Sequence, residues 1–120
     1  MSLCLSASGK TVMLAVQAFG LIWTHSVEKV EWRERWRVED DGLVIEQAAV
    51  KGSGAGMEPA DDARREGDWW VWSPMSRVPR IALGRSGAVA DWRLCAPDCR
   101  PLGDVVHAAP TEPVTLTPCP

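Results

Sequence analysis

The residues best suited to acid–base or nucleophilic chemistry are concentrated between Leu21 and Trp36. This segment places His25 beside Ser26 and adds glutamates at positions 28, 31 and 34. Histidine near a carboxylate is a common pairing for proton transfer near neutral pH, and a base beside a hydroxyl can activate a nucleophile. The segment also holds three of the seven tryptophans, whose large apolar faces suit recognition. Its composition therefore offers two classes of function, catalysis or binding.

Alternation of residue types with a period of two favours binding over catalysis. In a strand, neighbouring side chains point to opposite faces, so the His25 ring cannot readily orient the Ser26 hydroxyl. We therefore expect a non-enzymatic binding surface and assign no catalytic residue. A small hydrolase or isomerase that uses His25 and a glutamate as acid and base is the alternative. The expected binding residues of the two strands and their turn are Trp23, His25, Glu28 and Glu34.

Alternation predicts that Leu21, Trp23 and His25 share one face of a strand, and that Val30, Trp32, Glu34, Trp36 and Val38 share one face of the next. Glu34 is the charged exception in the second, otherwise apolar, row. If that row faces the core, its carboxylate needs a partner or a proton, because an unpaired buried charge is costly. His25 is the candidate partner, since it is expected on the Trp23 face of the adjacent strand. The row could equally reach solvent at Glu34. Both interpretations stand on the sequence alone.

A glycine-rich loop runs from Lys51 to Glu58. It lacks the Gly-Lys-Ser/Thr ending of a phosphate loop, and the residues that follow do not open a helix, so a nucleotide site is not expected. Backbone N–H groups of Ser53, Gly54 and Gly56 could form a small anion-binding nest beside the expected surface. The favoured interpretation is a bulged loop with positive φ at its glycines.

Four cysteines suggest an oxidising compartment. Cys95 and Cys99 flank a turn that could bring their sulfurs together, while Cys4 and Cys119 lie near termini that are often close in space. We favour disulfides or free thiols over zinc, because one C-x3-C pair is not a usual metal spacing. No metal or cofactor is expected.

Charge and hydropathy exclude two further classes of function. The net charge of -3 argues against a general nucleic-acid binder. Arg33, Arg35 and Arg37 share one side of a predicted strand with Glu31, which we interpret as a solvated, charge-balanced face. No segment approaches the roughly 20 apolar residues of a membrane helix. No export signal is visible at the amino terminus.

The alternation predicts a single all-β domain of about eight or nine short strands with little helix. We expect an antiparallel β-sandwich or partly closed barrel over residues 1–106. Residues 107–120 are expected to be a Pro-rich tail, extended along the surface or mobile. Residues 61–66 are expected to form a helical turn or to be exposed, and 88–95 to form a strand.

Three tryptophans fall in one short predicted strand, at positions 69, 70 and 72. Alternation places them on both faces, so at least one should approach the surface. This arrangement supports a partner or ligand platform, with core packing as the simpler explanation for the others.

The chain resembles the bacterial family called domain of unknown function 1850. The resemblance rests on Trp23-Thr24-His25-Ser26-Val27-Glu28-Lys29, Glu31-Trp32-Arg33-Glu34, the loop from Lys51 to Glu58, Ser86-Gly87 and Asp91-Trp92-Arg93-Leu94-Cys95. Members are typically encoded beside tripartite ATP-independent periplasmic (TRAP) transporters of the TAXI subtype. The resemblance therefore implies an accessory role in solute uptake, with transporter subunits or a small solute as partners. It also implies a periplasmic or membrane-associated location, which the cysteines favour.

Overall fold

A computed structural model describes residues 1–24, 30–52 and 61–120 as an all-β structure with a short helix. Its elements are β1 (Ser2–Ala7), β2 (Lys10–Leu14), β3 (Ala18–Thr24), β4 (Glu31–Glu39), β5 (Gly42–Lys51), β6 (Arg64–Glu66), β7 (Trp69–Trp72), β8 (Ser76–Val78), β9 (Ile81–Leu83), β10 (Arg93–Cys95), β11 (Cys99–Pro101), α1 (Leu102–Val106) and β12 (Val114–Cys119). The expected all-β class is confirmed.

The strands form two antiparallel sheets. The small sheet has the order β2-β1-β12-β9. The large sheet has the order β11-β10-β3-β4-β5-β7-β6, and β8 pairs with the beginning of β5. Across the described ranges the sheets stay separate and do not close into a cylinder, so the sandwich alternative applies.

The core lies between the two sheets because alternate residues of each sheet are apolar. Leu3 and Leu5 of the small sheet are fully buried, as is Leu21 of the large sheet. Phe19 and Trp36 pack with their rings stacked at 6.3 Å between centroids. Each fully buried aliphatic side chain contributes about 1.5–3 kcal/mol through burial. This core fixes which face of the large sheet points inwards.

The carboxyl-terminal segment belongs to the core of the small sheet. We expected a Pro-rich tail from residue 107 onwards, but β12 lies between β1 and β9. Val114 and Leu116 are fully buried because the segment alternates in the same way as the other strands. A disulfide joins Cys4 to Cys119, with their Cα atoms 5.9 Å apart. Alternation was therefore a better guide here than proline content.

Three other segments differ locally from expectation. Residues 64–66 are exposed, which was one of the two expectations, but they form strand β6 and not a helical turn. The connection between Pro74 and Pro79 contains β8, whose three residues carry no apolar alternation. The strand expected from residue 88 begins only at Arg93, because residues before it make loop contacts through their side chains.

The helix α1 closes one end of the core through Leu102, Val105 and Val106. It follows β11 directly and ends at His107, which adopts a left-handed conformation with φ of 54°. None of the described segments is a helix of the length and apolarity that crossing a bilayer requires.

Candidate functional site

Register across β3, β4 and β5 assigns each side chain to one of two faces of the large sheet. Directly opposed residues share a face, so Leu21 and Glu34 lie together, as do Trp23 and Trp32. These residues share the face that the small sheet covers, here called the inner face. The intervening residues, such as Ile22 and Arg33, form the outer face.

A tryptophan cluster occupies the end of the inner face that lies beyond the aliphatic core; its members are Trp23, Trp32, Trp72 and Trp92. Trp23 stacks on Trp32 with 5.3 Å between ring centroids, and the Trp92 ring, tilted by 41°, lies 5.3 Å from Trp23. Trp72 meets Trp32 edge to face at 5.8 Å. Offset and edge-to-face pairs of this kind contribute about 0.5–1.5 kcal/mol each beyond area burial. The cluster is therefore a packing unit that joins β3, β4 and β7 to the loop before β10.

Glu34 lies on the inner face between the aliphatic core and the tryptophan cluster. Its carboxylate accepts a hydrogen bond from Trp36 Nε1 at 2.9 Å. Burial raises the pKa of Glu34 above the ordinary value, although the indole N–H groups of Trp36 and Trp23 oppose the rise. Glu34 thus faces the interior, and its described partners are indoles.

An open groove runs along the outer face, with a volume of about 720 Å³. Its floor is made of small or apolar side chains. Residues of the turn after β10 form one side, and residues of β7 form the other. We call it the outer groove. Its floor is formed by Ala18, Gly20, Ile22, Ala49 and Val71. The other outer-face residues that line it are Arg33, Arg35, Gln47, Glu66, Trp69 and Cys95 to Pro97. The lining is predominantly apolar, as in small-molecule sites.

Small residues make the groove deep on the side of β3. Gly20 has no side chain, and a Cβ atom placed there would lie 3.4 Å from Cys95 Cβ. Cys95 belongs to the adjacent strand β10 and is bonded to Cys99, with Cα atoms 3.9 Å apart. The turn between them contains a cis Ala96–Pro97 peptide bond. This disulfide-closed turn forms one wall of the groove.

The opposite wall contains Trp69, which Arg33 covers. The guanidinium carbon of Arg33 lies 4.4 Å from the Trp69 ring centroid, and its Nε donates to Glu31 at 2.8 Å. Arg33 is more than half exposed, so this ion pair contributes little to stability. Its effect is to orient the arginine over the aromatic ring.

A second charged constellation was not recognised from the sequence. Arg85, only 4% exposed, makes two hydrogen bonds to Asp91 and donates to the carbonyl oxygens of Ala109 and Glu112 at 2.8 and 2.9 Å. Asp91 also accepts from the Gly103 N–H at 2.8 Å. Burial alone would raise the pKa of Asp91, but these bonds hold it below its ordinary value. The pair ties the 84–92 loop to α1 and the following turn.

This ion pair explains part of the sequence signature. The motif that begins at Asp91 and the adjacent Ser86-Gly87 lie in the loop that Arg85 secures, and the Trp92 Nε1 donates to the Gly84 carbonyl at 3.0 Å. A buried arginine six residues from an aspartate has no distinctive spacing in a loop. The pair is therefore not recognisable from the sequence.

The structure places only part of the predicted binding set. Trp23 and Glu34 lie on the inner face, within or beside the tryptophan cluster. The other predicted residues lie outside the described part of the chain: His25, Glu28, Ser53, Gly54 and Gly56. The proposed pairing of Glu34 with His25 also lies outside it. Within residues 1–24, 30–52 and 61–120, no group of three metal-ligating side chains converges.

The fold is that of a small, disulfide-bonded protein of two sheets, with an open and predominantly apolar groove on its outer face. The sequence profile of the family "Domain of unknown function (DUF1850)" matches residues 19–102. The chain belongs to this family, as the resemblance indicated. No curated protein and no solved structure matches the chain.

Proposed function

We propose that this protein is a non-enzymatic small-solute-binding accessory of a TRAP-type uptake system. The observation that carries the binding function is the outer groove. Its volume of about 720 Å³ lies in the range typical of ligand pockets, about 300–1,000 Å³. Its apolar floor offers area, and a small number of polar side chains offers orientation.

The disulfides support a location of this protein outside the cytoplasm. Two bonded cysteine pairs in a small domain are typical of oxidising surroundings such as the bacterial periplasm. Family membership supports a transporter as the partner, because members of the family are typically encoded beside TAXI-type TRAP transporters. A periplasmic or membrane-associated protein that binds the transported solute or the transporter subunits is consistent with both.

The hairpin residues keep a supporting role in this proposal. Trp23 packs within the tryptophan cluster and so stabilises the sheet whose outer side carries the groove, and the Glu34 carboxylate accepts a hydrogen bond from the Trp36 indole. The predicted surface at His25, Glu28 and the loop residues Ser53, Gly54 and Gly56 stays a prediction. So does the alternative function, acid–base catalysis with His25 and a glutamate.

A groove-filling substitution tests the binding function. Thermal unfolding of the full chain would be monitored with a panel of small carboxylates, alcohols, amino acids and sugars. We expect at least one solute to stabilise the protein, and Ala49→Leu to abolish that stabilisation because it fills the groove floor. Ala82→Leu is the matched control, since Ala82 is exposed on the small sheet.

Two results would count against the proposal. A solute that stabilises Ala49→Leu as strongly as the unaltered protein binds somewhere else. A panel in which no solute stabilises the unaltered protein removes the support for a small-solute site. Co-purification with TRAP transporter subunits tests the partner separately, and its failure under conditions that preserve the transporter complex would remove the accessory role.

A further inference from the structure

Three arginines project from the outer side of β4, and their partners differ. Arg33 bonds to Glu31 and covers Trp69. Arg37 donates to Glu39 at 2.8 Å and to Glu46 at 2.6 Å. Each of these two cations is therefore balanced by a carboxylate beside it and turned towards that carboxylate.

Arg35, between them, is different. It is exposed, lines the outer groove, and has no ion pair with any described residue. Its cross-strand neighbours on the same face are Gly20 and Gln47. One of these has no side chain and the other is neutral. The groove therefore contains one cation whose charge no neighbouring carboxylate balances across the described strands.

The apolar part of the groove extends from Arg35 towards β7. Val71 lies two strands away from β4, which corresponds to about 10 Å at the usual spacing of strands. Ala49 lies between them on β5, and its small side chain leaves the floor open. A guanidinium at one end of such a floor is complementary to a molecule with an anionic head and an apolar body.

We propose that the outer groove binds a small organic anion with one carboxylate and an apolar body, and that Arg35 contacts the carboxylate. This inference rests on the proposed small-solute binding and names its ligand class. A guanidinium can donate two parallel hydrogen bonds to a carboxylate, which fixes the orientation of the ligand as well as its charge. Gln47 adds a neutral donor and acceptor beside it.

Charge favours a free solute over an anionic membrane or a polyanion. The chain carries a net charge of -3, and the groove rim holds Glu66 close to Trp69. Glu66 is itself paired with Arg64 at 2.9 Å. Among the described cations that line the groove, Arg35 is the one without a carboxylate partner, which matches a ligand with a single negative charge. An extended anionic surface would be repelled by the net negative charge of the protein.

Isothermal titration of the full chain with four probes tests this inference. Octanoate carries both the charge and the apolar body, octan-1-ol only the body, acetate only the charge, and octylammonium the opposite charge. We expect octanoate to bind at least about tenfold more tightly than the other three, because a charge-assisted hydrogen bond is added to apolar contact. Its affinity should decrease as ionic strength rises.

Variants at position 35 locate the charge. Arg35→Gln should bring octanoate to the affinity of octan-1-ol, and Arg35→Lys should retain an intermediate preference, because it keeps the charge without the planar fork. Arg80→Gln is the matched control: it removes one exposed arginine outside the groove and should leave all affinities unchanged. Equal denaturation midpoints for the three variants would establish that folding is preserved.

Three outcomes would overturn the inference. They are octan-1-ol binding as tightly as octanoate, Arg35→Gln leaving the octanoate affinity unchanged, and no binding of octanoate to the unaltered protein. In the first case, loss of octan-1-ol binding in Ala49→Leu would still support the proposed solute site. The ligand class would then be wrong while the proposed function stands.

Discussion

The two faces of the large sheet contain similar residue types and do different things. On the inner face, Trp23 and Trp32 stack on each other, and the Glu34 carboxylate accepts a hydrogen bond from an indole N–H. On the outer face, Trp69 borders an open groove, and the groove-lining Arg35 has no carboxylate partner in the described strands. Aromatic and charged residues therefore mark a binding site only where the surrounding side chains leave space.

The difference in space comes from the small residues. Gly20 lies between the larger inner-face residues Phe19 and Leu21 on β3, and Ala49 lies beside the inner-face Val50 on β5. At these positions the side chains of the outer face are therefore smaller than those of the inner face. The disulfide-closed turn at Cys95 and the β7 residue Trp69 then enclose this part of the outer face. The inner face supplies stability, and the outer face supplies a recess.

The largest expected effect comes from the bond that secures the sheet covering the inner face. The Cys4–Cys119 bridge closes a loop with a sequence separation of 115, and the Cys95–Cys99 bridge one of only 4. In the chain-entropy description of disulfides, breaking the Cys4–Cys119 bridge lowers the free energy of unfolding by about 4–5 kcal/mol, and breaking the Cys95–Cys99 bridge lowers it by about 2 kcal/mol.

Denaturant unfolding of the double variants Cys4→Ser/Cys119→Ser and Cys95→Ser/Cys99→Ser measures both costs. The first should lose more stability and keep the groove geometry in its remaining folded fraction. The second should lose less stability and more groove binding, because its turn is a wall of the groove. Equal stability losses would contradict the assigned roles of the two bridges.

The next prediction compares the loss of stability at two adjacent residues of β3 that lie on opposite faces of the large sheet. Leu21→Ala removes a fully buried side chain and should cost about 2–5 kcal/mol, since it leaves a cavity between the sheets. Ile22→Ala, one position further along β3, removes a half-exposed groove residue and should cost about 1 kcal/mol. Urea denaturation midpoints measure both, and a larger loss for Ile22→Ala would reverse the assignment of the faces.

Strand alternation was sufficient to predict much of this arrangement. It correctly placed Leu21 with Trp23 and Trp32 with Glu34, because a buried strand face must be apolar at every second residue. It also underlies β12, although proline content led us to expect a tail there.

The groove could not be predicted in the same way. Its floor combines the small residues Ala18, Gly20 and Ala49 with Ile22 and Val71, and this mixture has no pattern that predicts a recess. Only the structure shows that Cys95 and Trp69 lie at its two sides. Arg35 was recognised as outward-facing, but only the structure shows that carboxylates partner Arg33 and Arg37. The Arg85–Asp91 pair depends on loop geometry that spacing does not reveal.

A smaller expected effect is the pH dependence of folding stability that Glu34 on the inner face causes. Burial raises the folded-state pKa of Glu34, so the folded protein binds more protons at this site than the unfolded chain does. The contribution of Glu34 to stability should therefore fall as pH rises from the ordinary glutamate value, about 4.3, through the raised pKa.

Glu34→Gln isolates this contribution from other carboxylates such as Asp91 and Glu112, whose lowered pKa values act in the opposite direction. The glutamine can still accept the Trp36 hydrogen bond. Its unfolding free energy relative to the unaltered protein should increase between pH 4 and pH 7. A difference that stays constant over this range would show that Glu34 is not desolvated.

The central claim is that ligands bind on the outer face, and the seven tryptophan indoles provide a direct test. In a ¹H–¹⁵N spectrum each indole N–H gives its own resonance, and Trp69 borders the groove while the tryptophan cluster faces inwards. On titration with octanoate, we predict a saturable shift of the Trp69 resonance and little change in those of Trp23, Trp32, Trp72 and Trp92. Saturable shifts of the cluster resonances without a shift of Trp69 would contradict the account and place binding on the inner face.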